Sequence, residues 1–131
     1  MFFLKEKSKK FYQNAQYLFE KEDDDLAAFN IEQSCQLLIK YLIAKKTGEW
    51  PKTHDLNALI KILSEVYQKA EIYDYYQKNE LFFDDLSDAY FTSRYFPKVF
   101  SKNLLEKFLQ EYKNFLTFLQ DEVDEPLDFD I

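Results

Sequence analysis

The sequence predicts an all-α fold, an up-and-down bundle of four or five helices in one domain, and three observations carry that expectation. Gly48 is the only glycine in 131 residues, whereas the hairpins and bulges of a β-rich chain need several. Proline occurs only at Pro51, Pro97 and Pro126, so long stretches run without a helix breaker. Apolar residues also recur at the three- and four-residue spacing of a helix face through most of the chain. The length suits a single domain and is enough to bury a real core.

Taken in order, Ser8 suits the N-cap of a first helix running to about Lys21, with Phe11, Ala15, Leu18 and Phe19 on one face. The acidic run Glu22 to Asp25 ends that stripe and suits the positive end of a second helix. This second helix is the clearest, with Ala28, Ile31, Cys35, Leu38 and Leu42 in register, Ala27 and Ile39 alongside, and Lys45, Lys46 and Gly48 at its end. After a connector from Trp50 to His54, Asp55 or Thr53 caps a third helix carrying Leu56, Leu59, Ile60, Leu63, Val66, Tyr67 and Ala70. The stretch from Tyr73 to Tyr76 either extends that helix or forms a loop. Asn79 suits the cap of a helix with Phe82, Phe83, Leu86, Ala89 and Tyr90 inward, stopped at Arg94-Tyr95-Phe96-Pro97. Ser101 opens the last helix, whose broad apolar face runs from Leu105 through Phe108, Tyr112 and Phe115 to Leu119. Residues 1–120 are thus expected to form the bundle, and 121–131 a disordered acidic tail.

Net charge is −7, but 6 of the 24 acidic residues lie beyond residue 120, which leaves 18 acids against 17 bases in the body. A nearly neutral body carries no overall basic footprint, and neither advertises nor forbids RNA binding. Aromatic residues make up 19% of the chain, more than one small core readily absorbs, and this points to a second buried surface, an oligomer interface. Cys35 is alone, Met1 to Leu4 is too short an apolar run for a signal peptide, and no run approaches a membrane span. The expected location is the cytoplasm, with no membrane partner.

Much chemistry is excluded outright. One glycine removes the phosphate loops, which need several to bring backbone N–H groups against phosphate. One histidine and one cysteine cannot make a His/Cys zinc site. Asp84 and Asp88 share a helix face, with Asp85 turned partly away, yet a solvated face opposite Phe82 and Leu86 is the better reading than a metal site. No metal or cofactor is expected. Cys35 sits in an apolar stripe and reads as core. Core or interface packing is likewise a better reading than base stacking for the Tyr-rich stretch, and a solvated helix start than phosphate contact for Lys5, Lys7, Lys9 and Lys10.

Two singletons remain. Arg94 is the only arginine against 16 lysines, which suggests a site wanting the planar guanidinium fork for carboxylate or phosphate. The alternative is an ion pair with an acid such as Glu32 or Asp88. His54, beside Asp55 at a helix start, is either a proton-transfer group or a cap and loop contact.

Both singletons sit in segments that resemble the HEPN family of small helical domains. The helix bearing Glu32-Gln33-Ser34-Cys35-Gln36-Leu37-Leu38-Ile39-Lys40-Tyr41-Leu42 resembles the family's most recognisable helix. Gly48 and Pro51-Lys52-Thr53-His54-Asp55-Leu56 follow it as in many members. Tyr90-Phe91-Thr92-Ser93-Arg94-Tyr95 resembles the family's Tyr-x-x-Ser-Arg-Tyr-Pro, with Phe96 inserted before Pro97. The resemblance spans roughly residues 8 to 120. It implies a helical bundle that commonly dimerises and, in many members, partners a minimal nucleotidyltransferase in a toxin–antitoxin-like pair. Other members are metal-independent ribonucleases using Arg-x4–6-His. Here no histidine follows Arg94, so that activity is not carried over and no catalytic residue is assigned. The expectation is a non-catalytic protein that binds a nucleotide or RNA. Arg94, with Lys52 or His54, would hold phosphate, and Tyr90 or Tyr95 would contact a base. The rivals are a divergent ribonuclease using His54 and Arg94, and a pure helical interaction module.

Overall fold

Six helices follow one another in the computed structural model, which describes residues 1–95 and 100–129 and leaves out the side chain of Arg94. They are α1 (Phe2–Glu20), α2 (Asp24–Thr47), α3 (Leu56–Tyr67), α4 (Ala70–Lys78), α5 (Glu80–Tyr95) and α6 (Lys102–Val123). No strand occurs among the described residues, and none of their helices is long and apolar enough to cross a membrane. The all-α expectation holds, with six helices in place of four or five.

The centre of the bundle is α2, which packs against α1, α3, α5 and α6. A helix enclosed on several sides must be apolar on several sides, and Ile31, Cys35, Leu38, Ile39 and Leu42 are all fully buried. Burial, and secondarily the charge of Glu32, pushes the Cys35 thiol well up, so it stays a protonated core group. Gly48 ends α2 at φ 88, in the left-handed region, with its N–H on Ala44 O at 2.7 Å. Asp55 caps α3 by accepting from Asn57 N, while Thr53 Oγ1 braces the connector by accepting from Asp55 N. Ser101 caps α6 by accepting from Leu104 N at 3.1 Å.

Four expectations are corrected. Ser8 is no cap: α1 already begins at Phe2, and the Ser8 hydroxyl is buried against Ser34 O at 2.6 Å. The third helix stops at Tyr67, where Gln68 turns left-handed at φ 55, so Ala70 opens a new helix. That helix is the Tyr-rich stretch, anchored by Tyr75 stacked on Phe118 at 4.4 Å and Tyr76 on Phe83 at 5.2 Å. Asn79 stands where the cap was expected, directly before α5 with its O accepting from Phe83 N at 3.2 Å. Its side chain, however, serves the helix behind it, Nδ2 donating to Tyr75 O at 2.9 Å. Finally, the acidic segment does not hang free as far as it is described. Helix α6 continues to Val123, Leu127 and Phe129 are buried, and the Phe129 ring lies 5.8 Å from that of Tyr12. Glu125 accepts from Tyr41 Oη at 2.9 Å and from Lys45 Nζ at 2.6 Å. Charge predicted a disordered tail; in its described part Leu127, Phe129, Lys45 and Lys5, whose Nζ donates to Pro126 O at 3.2 Å, hold the segment down instead. The stop expected at Pro97 lies outside the described residues.

Candidate functional site

The site is built on one face of α2, where Glu32 and Gln36 stand one turn apart. Both are buried, at 1% and 3% exposure, and a buried polar side chain must find partners. Gln33 Nε2 donates to Glu32 Oε1 at 2.9 Å, and Gln36 Nε2 donates to Glu32 Oε2. A carboxylate only accepts, so the Gln36 amide is held with its nitrogen toward Glu32 and its oxygen outward. That oxygen lies 3.2 Å from Nδ1 of His54. It follows that Nδ1 carries a proton, and that Nε2 is the ring nitrogen left for a ligand: an acceptor in the neutral ring, a donor in the imidazolium.

The His54 ring also stacks on Tyr90 of α5, with centroids 5.3 Å apart and planes 25° from parallel. Phe29 of α2 backs Tyr90 from 6.2 Å. The imidazole is therefore fixed in both direction and plane while its outer edge stays solvent-exposed. Arg94 follows Tyr90 by four residues, one turn along α5, but its side chain lies outside the described residues. Lys52 is exposed on the connector, two residues before His54. Tyr95 is displaced from this cluster. Its five-residue offset from Tyr90 turns it toward Phe91, ring to ring at 4.8 Å, and it is 63% exposed.

So the fold brings together His54 and Tyr90, puts Arg94 on the same helix as Tyr90, leaves Lys52 nearby in sequence, and sets Tyr95 apart. The positioning role of Gln36 was not read from the sequence. Its signal was present: Glu32 and Gln36 sit four apart within the mostly apolar stretch from Ala27 to Ala44. Asp84 and Asp88 are exposed and Asp85 is half-buried. Among the described residues no cluster of His, Cys, Asp and Glu could hold a metal ion.

The family model for the HEPN domain matches residues 1–123. The chain belongs to the HEPN domain family. Comparison with curated proteins finds no match, and comparison with solved structures finds none either. In this HEPN domain the matched region takes in all six helices, including both segments that bear the singletons.

Proposed function

We propose that this HEPN domain is a non-catalytic partner protein that binds a nucleotide or RNA end and works with a minimal nucleotidyltransferase in a toxin–antitoxin-like pair. The observation that carries the ligand reading is the relay from Glu32 through Gln36 to His54. Buried Gln36, itself held by Glu32, aims an exposed imidazole, an arrangement that loop closure alone does not require. Phosphate would be held by His54, Lys52 and Arg94, with Tyr90 against a base. The partner rests on membership of the family.

A homodimer belongs to the same reading, and Phe91 and Tyr95, 55% and 63% exposed, offer an aromatic surface for it. Sedimentation equilibrium should then give about twice the 15.9 kDa chain mass.

A second reading draws on the same contact. Because His54 touches Tyr90, one turn from Arg94, a divergent metal-independent ribonuclease using His54 and Arg94 is the rival. One pair of assays separates them. Calorimetric titration with adenosine nucleotides and short oligoribonucleotides should detect binding by the parent, weakened about tenfold or more in His54→Ala, at about 1.4 kcal/mol per tenfold. No RNA cleavage should occur in the presence of chelator. Cleavage by the parent that vanishes in both His54→Ala and Arg94→Ala would establish the ribonuclease instead. Absence of both binding and cleavage would leave a helical interaction module.

A further inference from the structure

Lys7 and Lys10, near the start of the chain, lie along a groove that the His54 cluster does not use. On α1, Phe3, Lys7, Lys10, Phe11, Asn14 and Tyr17 fall within one third of the helix circumference, next to the buried face of Leu4, Ser8, Tyr12 and Ala15. Both carboxylates of α1, Glu6 and Glu20, fall outside that sector. A groove between α1 and α2 is lined by Lys7, Lys10, Phe11 and Asn14 from one side and Asn30 from the other. In a chain of net charge −7, a groove with two lysines and no carboxylate in its lining selects for an anion.

The other groups define which anion. Tyr17 is 56% exposed and Phe3 48%, so both rings reach the surface, and Phe3 meets Trp50 edge-on at 5.8 Å. At the far end Lys21 Nζ lies 5.6 Å from the Tyr17 ring centre. Between the rings, Asn14 Nδ2 donates to Asn30 Oδ1 at 3.1 Å, and Asn30 Nδ2 donates to Leu26 O at 2.7 Å. These two bonds hold the amide pair in place and leave Asn14 Oδ1 to accept from a base edge. Lysines interspersed with rings along about 20 Å of helix fit a polyanion that carries flat groups. A second copy of this chain fits worse, because a twofold contact through this stripe sets lysine against lysine. We propose that the α1–α2 groove is a binding strip for single-stranded nucleic acid, separate from the His54 cluster and independent of its reading.

The test is fluorescence anisotropy of a labelled twelve-residue oligouridine titrated with the full chain at two salt concentrations. Lys7→Gln with Lys10→Gln should weaken binding at least tenfold at low salt and lower the slope of log K against log salt by about 1.4, two contacts at about 0.7 each. Phe11→Ala should weaken binding at similar slope, and Lys61→Gln with Lys69→Gln, on other elements, should change neither. The groove substitutions should leave mononucleotide binding at His54 untouched, whatever that proves to be. No binding by the parent at low salt, or equal loss from both lysine pairs, overturns the proposal. So does a groove variant whose main effect is a change in sedimentation mass, which would make the stripe a subunit contact.

Discussion

Gln36 shows how much one residue's meaning depends on its neighbours. An amide at that position in isolation says nothing, but with Glu32 below it and His54 above it becomes the group that sets a tautomer. His54 was legible as a candidate because it is the only histidine; the partner that aims it was not, because helix α2 and the connector meet only in three dimensions. Tyr41 supplies a residue-level prediction. Burial, followed by its bond to Glu125, raises its pKa to about 12 from an ordinary 10.0. The folded state thus holds this proton more tightly than the unfolded chain, so the stabilisation is complete below pH 10 and lost as pH rises from 10 toward 12. A shift of this size corresponds to roughly 2–3 kcal/mol. Denaturation at pH 9 and pH 11.5 should show a steeper loss for the parent than for Tyr41→Phe. Parallel losses in the two proteins would mean the hydroxyl is not held as described.

At the scale of elements, the caps were the most readable features, because a cap is a local bargain between one side chain and the nearest backbone N–H groups. Asp55 and Ser101 cap where their chemistry indicated. Ser8 has the same chemistry and does something else, since burial against Ser34 satisfies its hydroxyl better than a helix end would. The split between α3 and α4 was illegible for a related reason. Gln68 adopts a left-handed φ that a non-glycine residue takes only when its surroundings impose it, here with Ser64 Oγ donating to Lys69 O at 2.7 Å. Gly48 is the contrasting case, where conformation chooses the residue. A Cβ placed there meets nothing within 4 Å, so the only cost of Gly48→Ala is the backbone at φ 88. Urea denaturation should show a loss of about 1 kcal/mol, and less for Gly48→Asn, which tolerates that region better. A neutral Gly48→Ala would show that the C-terminus of α2 relaxes into another turn.

At the scale of the whole molecule, the segment after α6 closes the bundle. Leu127 is fully buried, its N–H donates to Gln120 Oε1 at 2.8 Å, and Lys5 Nζ donates to Pro126 O at 3.2 Å. Truncating Leu127 to alanine should therefore cost roughly 2–4 kcal/mol, as for a core leucine. A cost below about 0.5 kcal/mol would place the segment outside the cooperative fold. The aromatic excess meets a similar answer. Tyr12, Tyr112, Phe83, Phe108 and Phe115 fill the core, so much of the aromatic content serves one chain. Among the described residues, the most exposed aromatics are Phe2, Phe3, Tyr17, Trp50, Phe91 and Tyr95.

The sequence by itself determined the fold class, the ends at Gly48 and Ser101, a cap at Thr53 or Asp55, and the family. These depend on spacing, backbone preference and short-range hydrogen bonds, all of which are written along the chain. Only the tertiary structure decided that Ser8 is core, that the Tyr-rich stretch is a helix of its own, that Leu127 and Phe129 fold back, and that Gln36 aims His54 at a face shared with Tyr90. Each of these turns on which distant surface a side chain meets. Burial and pairing energies of a few kcal/mol per group then outweigh local preferences of about one.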